Sequence, residues 1–317
     1  MRPEMRTSTL LFIFTLLFAS CEVSKGPASR IYTTTPYPAL SELPVKDQVF
    51  TDQTYTEFKP EFAFLDDVEL FTFSYEIDGH IVLGYGASPK NQNSWPTIIY
   101  SRGGTYENGR WNYGAAAVRL GELAARGYTV VTYEYGQSVN DVAADQMGGY
   151  DAIYLSTLIE LAGQIPGTDP KNIGLYGWSR GGMMTFKALA EERPQVKAAV
   201  VGGAPTDFAA LLADRPAFDP IFQKMIPGYT EDPEGELAKR SAIEFADELP
   251  DDVPILMLHG EADQKVSVEQ AKKMAGLLEE NGVPHQLLTY PNENHGIDGK
   301  RKDILESVDA WFKAYLN

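Results

Sequence analysis

The chain has 317 residues, 44% of them hydrophobic and 22% charged, enough apolar material for one large globular domain or two small ones. Its formal net charge of −17, from 44 acidic and 27 basic residues, argues against nucleic acid or an anionic membrane surface as a partner, because both repel an acidic surface. The single cysteine, Cys21, permits no internal disulfide.

The chain opens with a leader. Arg2 and Arg6 precede the apolar run LLFIFTLLF, Leu10–Phe18, which is too short to span a bilayer but suits the core of a signal peptide. The following FAS and Cys21 resemble a bacterial lipoprotein signal, in which Cys21 becomes the lipidated first residue, although Phe18 stands where leucine is usual. The alternative is an ordinary secretory signal cleaved nearby. Either way the protein is expected outside the cytoplasm. In the first case it is a lipid-anchored protein of the bacterial envelope, periplasmic or on the outer membrane, meeting the membrane only through Cys21.

Residues 22–60 are rich in Thr, Pro, Tyr and Ser and predict a tether with little regular structure. From Glu61 the pattern changes. ELFTFSYEIDGHIVLGYGASP alternates as two strands joined at Asp78–Gly79. Short apolar strands then alternate with helical segments: WPTIIYS, a helix stopped at Gly127, YTVVTYEYG, a helix over YDAIYLSTLIEL, NIGLYG, a helix closed by Pro194, VKAAVVGG, VPILMLHG, a helix over SVEQAKKMAGLLEENG, HQLLTYP and a final helix from Lys302. This alternation predicts a mostly parallel sheet of eight strands with helices on both faces and an antiparallel edge. Between residues 206 and 250 the alternation stops, and a helical, irregular insertion is expected to cap the carboxyl ends of the strands.

One stretch concentrates the chemistry. GLYGWSRGG carries glycines at 174, 177, 181 and 182 around Ser179, between a strand and a helix. Gly177–Gly181 fits G-x-S-x-G in the context that motif needs, whereas the spacing does not supply the G-x-G-x-x-G of a dinucleotide loop. Such a turn holds the serine at a strained backbone angle, where a side chain at Gly177 or Gly181 would clash. It lifts the hydroxyl above the sheet and aims the N–H of Arg180 at a developing oxyanion. A serine nucleophile needs a base and an orienting acid. Of the four histidines, His80, His259 and His285 read as structural. His295 lies in a loop after the last strand and fits the order Ser, acid, His. The loop ILMLHGEADQKV offers Glu261 and Asp263. Asp263 has room to turn toward the imidazole, while Glu261 faces solvent on this reading.

The stretches from Asp169 to Phe208 and from Arg240 to Ile297 resemble the catalytic domain of the prolyl oligopeptidase family, a branch of the α/β-hydrolases that is similar also to dienelactone hydrolases and some carbohydrate esterases. The resemblance implies an α/β-hydrolase fold and a catalytic triad. Its nucleophile motif falls on Gly177–Gly182. Its H-G-x-x-D-x-x-V motif falls on His259–Val266 and selects Asp263, and its final histidine turn falls on Asn294–Gly296. Two departures matter. Peptidases of this family carry a β-propeller before the hydrolase domain, and about 40 residues after the leader are too few for one, so none is expected. Family peptidases also often place an oxyanion-hole tyrosine where this chain has Arg102. Arg102 either donates to the oxyanion itself, beside the backbone N–H of Gly103, or pairs with a nearby carboxylate. An arginine at a helix start is usually paired on the surface, and the sequence assigns the side chain of Arg180 no role. Tyr106 and Trp178 are candidates for lining the substrate pocket.

The resulting expectation is a serine hydrolase acting through an acyl-enzyme, with a small peptide or an ester such as an acetylated sugar as substrate. A non-catalytic binding lipoprotein is disfavoured because no triad member is missing. No cofactor and no metal site are expected, since scattered histidines and one cysteine build no ligand cluster.

Overall fold

The computed structural model describes residues 30–90, 94–106, 108–136, 145–191 and 193–316; the leader and Cys21 lie outside them. In chain order the elements are β1 (Ile31–Pro36), α1 (Lys46–Val49), β2 (Val68–Ile77), β3 (His80–Pro89), β4 (Trp95–Ser101), α2 (Tyr113–Ala124), β5 (Thr129–Tyr133), α3 (Ala152–Leu161) and β6 (Thr168–Trp178). They continue with α4 (Arg180–Leu189), β7 (Val196–Gly202), α5 (Phe208–Asp214), α6 (Asp219–Met225), α7 (Pro233–Ala238), β8 (Ile255–Gly260), α8 (Val268–Glu280), β9 (His285–Tyr290) and α9 (Arg301–Tyr315). One sheet runs in the order β1-β2-β3-β5-β4-β6-β7-β8-β9. The pairs β1–β2, β2–β3 and β3–β5 are antiparallel, and every pair from β5–β4 to β8–β9 is parallel.

The period of two along each strand sorts side chains onto opposite faces. Ile98, Val130, Val200, Leu256 and Leu258 pack on one face with residues of α2 and α9. Their neighbours Ile99, Val131, Val201, Ile255 and Met257 pack on the other with residues of α3, α4 and α8. All five residues of β5 and all six of β8 are buried, as a strand covered on both faces requires. Among the described residues no helix is long and apolar enough to cross a membrane.

The sheet has nine strands, not the eight expected, because part of the supposed tether is ordered. Ile31–Pro36 pairs antiparallel with β2, and the chain then folds back so that Val45, Val49 and Phe50 are buried against the α2 side of the core. The segment IYTTTP contains the β-branched and aromatic residues that fit an edge strand, with Pro36 at its end where no further ladder bond is needed. Its Thr and Pro content gave it the composition of a linker. A soluble chain beginning at residue 60 is therefore expected to lose about 5 kcal/mol relative to one beginning at residue 30, because it lacks three buried apolar side chains whose burial is worth ~1.5–3 kcal/mol each and uncovers the core surface they pack on. Urea denaturation of the two chains measures it, and equal midpoints would return the segment to a tether.

The insertion between β7 and β8 contains α5, α6 and α7. Phe208, Phe222, Met225 and Tyr229 bury its inner side, and a cluster of rings links Phe208, Phe218, Phe222 and Tyr229.

Candidate active site

Ser179 stands between β6 and α4 with φ 55° and ψ −123°, a conformation that a residue with a Cβ adopts only where its surroundings enforce it. The surroundings are backbone. A Cβ on Gly177 would lie 2.1 Å from the carbonyl oxygen of Gly181, and one on Gly181 would lie 1.9 Å from that of Ser101. The two glycines therefore let the strand, the turn and the helix close on each other. The Ser179 N–H donates to Gly202 O at 2.7 Å, which fixes the turn to β7. Gly103 abuts the serine, with space for a Cβ only 3.0 Å from Ser179 Cβ, so its backbone lies beside the hydroxyl.

The acid loop follows β8. Asp263 accepts four hydrogen bonds: from the N–H groups of Lys265 (2.7 Å) and Val266 (3.1 Å) on Oδ1, and from His295 Nδ1 (2.7 Å) and His259 Nε2 (3.2 Å) on Oδ2. Burial would raise this carboxyl, but the hydrogen bonds from His259 and His295 outweigh it and hold the group well below the usual carboxylate range. An ionised acceptor at Nδ1 places the proton of neutral His295 there and leaves Nε2 as the basic nitrogen. Glu261 instead bonds the Thr289 hydroxyl at 2.8 Å on the exposed rim, as expected for the carboxylate that faces solvent.

His259 is the residue whose part the sequence underplayed. It is structural, but it holds the acid itself. Its Nε2 lies between Val266 O (2.9 Å) and Asp263 Oδ2, both acceptors, so that nitrogen carries a proton. The four-residue spacing from His259 to Asp263 was the available signal. Trp178 has a second part of this kind. Besides lining the cavity, its Nε1 donates to His295 O at 3.1 Å and ties the histidine loop to the serine turn.

Both arginines near the serine turn are held by buried carboxylates, which is one of the two readings the sequence left open for Arg102. Arg102 is buried and is the pair partner of a carboxylate: Nε donates to Glu134 Oε2 at 2.8 Å, and Nη1 and Nη2 donate to the carbonyls of Gly103, Asn108 and Tyr106. Its donors are engaged by Glu134 and by these three carbonyls, so the fork holds the glycine loop beside the serine in shape. Arg180, whose side chain the sequence left without a role, is buried. Its side chain is 4% exposed and donates to Asp145 and, at 2.6 Å, to Asp151, while its guanidinium lies 4.1 Å from the Tyr135 ring centroid. Burial disfavours its charge, and the two carboxylates override this and push its pKa up. Nη1 also reaches Gly104 O at 3.3 Å, so the network secures the glycine loop opposite the serine.

Tyr106 does not line the cavity. It adopts φ 51°, its ring lies under the Lys224 ammonium at 4.9 Å, and its carbonyl accepts from Arg102. Burial pushes its phenol up. Its hydroxyl feels the charges of Asp145 and Arg180, so the ring belongs with the network behind the serine turn and not with the cavity lining. Among the described residues no cluster of three metal-ligating side chains is present.

Ser179 and His295 open into one cavity of about 450 Å³. Its floor is the serine turn and the 102–109 loop. Its wall is the cap insertion, through Phe208, Leu211, Phe218, Ile221 and Phe222.

Residues 120–317 match the model of the prolyl oligopeptidase family. The chain is 29% identical over 258 residues to the uncharacterized peptidase YuxL of Bacillus subtilis, covering 75% of this chain and 38% of that protein. It is 24% identical over 247 residues to the uncharacterized peptidase YtmA of the same organism, covering 78% of this chain and 94% of that protein. Among solved structures, Pyrococcus horikoshii acylaminoacyl peptidase superposes with a TM-score of 0.65 at 19% identity, over 79% of this chain and 42% of that one. Porphyromonas gingivalis dipeptidyl peptidase 4 superposes with a TM-score of 0.59 at 20% identity, over 74% and 34%. These structures share the α/β-hydrolase fold with the chain, which spans well under half the length of YuxL and of both solved structures. With the family model covering the serine turn, the acid loop and the histidine loop together, the chain belongs to the prolyl oligopeptidase family.

Proposed function

We propose that the protein is a serine peptidase that works through an acyl-enzyme on Ser179. The observation that carries the reading is the Asp263–His295 pair at 2.7 Å, opening with Ser179 into one cavity of a family peptidase fold. His295 Nε2 takes the proton of the serine hydroxyl as Oγ attacks the substrate carbonyl, and later returns it to the leaving amine. Asp263 keeps the imidazole in the required tautomer and stabilises its charged form. The N–H groups of Arg180 and Gly103 receive the oxyanion. Water then repeats the attack on the acyl-enzyme with His295 as base.

A substrate contest tests the reading. Blocked and unblocked peptides are offered together with acetylated oligosaccharides, and products are read by mass spectrometry. Peptide cleavage that also disappears on fluorophosphonate treatment supports the peptidase. Acetate release with intact peptides would make it an esterase. Export and lipidation of Cys21 belong to the same proposal and rest on the leader sequence. Labelling of the wild type but not of Cys21→Ala with a fatty-acid analogue checks them.

The pH profile gives a second check. Asp263 stays ionised far into acid, so loss of its charge does not set the acid limb of kcat/KM. Activity is expected to fall toward acid pH with the slope of one proton. A flat profile between about pH 5 and pH 9 would sink the histidine base.

A further inference from the structure

We propose that the cap side of the cavity is a carboxylate subsite built by Arg215 and Lys265, so that the preferred substrate carries an acidic group beside an apolar side chain. The inference rests on the hydrolase reading above and names a substrate class for it.

The charge lining the cavity runs against the charge of the chain. Acids outnumber bases 44 to 27 overall, yet among the described residues the cavity wall carries arginines and a lysine and no carboxylate. Three of those cations are already engaged. Arg102 faces Glu134, Arg180 faces Asp145 and Asp151, and Arg119 hydrogen-bonds the Tyr100 hydroxyl. Arg215 and Lys265 have no carboxylate partner among the described residues, although both line the same cavity as Ser179.

Arg215 is held ready for a planar anion. Its guanidinium lies 4.6 Å from the Phe218 ring centroid, and Nη1 donates to Lys265 O at 3.4 Å. These contacts orient the fork and leave its other donors to solvent, from which a carboxylate can take them in pairs. Lys265 is anchored through its backbone, whose N–H donates to Asp263 and whose carbonyl accepts from Arg215, and its exposed side chain lies on the same cavity wall. The two cations thus bridge the cap and the acid loop at one corner of the cavity. Beside them Leu211, Phe218, Ile221 and Phe222 give an apolar wall, with Val266 on the acid-loop side. A ligand reaching Ser179 along this wall meets apolar surface and two uncompensated positive charges. Among the described residues a free ammonium placed there meets like charges and no acceptor carboxylate, which selects against it. In an acidic protein, this corner is where an anion is drawn in.

The carboxylate can come from an acidic side chain or from an acidic cap on the amino end, and matched ligand pairs separate these sources. Binding to the Ser179→Ala chain is measured by isothermal titration calorimetry, which needs no turnover. One pair is N-succinyl-phenylalaninamide and its neutral succinamoyl analogue; the other is acetyl-Glu-Phe-amide and acetyl-Gln-Phe-amide. The acid of at least one pair is expected to bind about tenfold tighter than its neutral partner, and the pair showing it identifies the source. The ratio is expected to fall toward one in Arg215→Gln and Lys265→Gln, with neutral ligands changed by less than about twofold, and to shrink in added salt. Equal affinities in both pairs, no binding by any of the four ligands, or a ratio that survives in both variants would overturn the subsite. Fluorophosphonate labelling of the wild-type chain reports the nucleophile separately. A labelled protein without acid preference loses only the subsite, and an unlabelled protein with acid preference loses only the hydrolase reading.

Discussion

Ser179→Ala is expected to lower kcat/KM by about 10⁴-fold or more and to abolish fluorophosphonate labelling, while leaving the melting temperature within a few degrees. The two halves of the prediction have different causes. Alanine lacks the attacking oxygen, so no acyl-enzyme forms, and the remaining hydrogen-bond donors stabilise only what water can do. Serine and alanine share a Cβ, so the strained φ of 55° is no worse in the variant, and the glycine contacts that close the turn are untouched. Thermal melts beside initial rates read both. A variant that keeps more than about a tenth of the activity would remove Ser179 from the mechanism.

Arg180→Gln is expected to be the most damaging single change outside the triad. It leaves Asp145 and Asp151 facing each other in the interior without the cation that both now share. Breaking one side of a buried pair costs about 3–5 kcal/mol, because the remaining charge stays buried. The sign with pH follows. Without its partner, a buried carboxylate has a folded pKa above its unfolded value. The variant is therefore least stable at neutral pH and recovers part of the loss as pH falls toward the ordinary carboxylate range, about pH 4. Guanidinium denaturation at pH 7 and pH 5 checks it. A variant with wild-type stability at both would mean that the network contributes nothing net. Arg180→Gln with Asp145→Asn and Asp151→Asn should be milder than the single change, since it removes the charges that were stranded.

The residues proposed to react were legible in the sequence because each sits in a short local pattern. Ser179 is marked by glycines within three residues on either side, Asp263 by the histidine four residues before it, and His295 by its loop after the last strand. The parallel sheet was legible from the alternation of apolar strands with helices of regular spacing. What escaped depended on distant partners. Arg180 finds Asp151 and Asp145, 29 and 35 residues earlier in the chain, and Arg102 finds Glu134, 32 residues later. No pattern around either arginine announces such a partner. Tyr106 looked like a pocket residue from its place after β4, but its ring packs against Lys224 and is absent from the cavity lining. β1 was missed because Thr and Pro read as linker until β2 supplies the edge they pair with.

The indole bond from Trp178 to the carbonyl of His295 has a mechanical consequence. Ser179 and His295 follow β6 and β9, with β7 and β8 between them, so strand spacings of about 4.8 Å add to roughly 14 Å across the sheet. Were the loops positioned through the sheet alone, every change of twist at its outer edge would move the base relative to the serine. The indole connects the two loops directly, so their separation is set by one short strut and not by the accumulated errors of three joints. Loosening around β9 and α9 can then be absorbed behind the histidine loop, and the alignment of the reacting atoms is insulated from the part of the sheet with only one neighbouring strand.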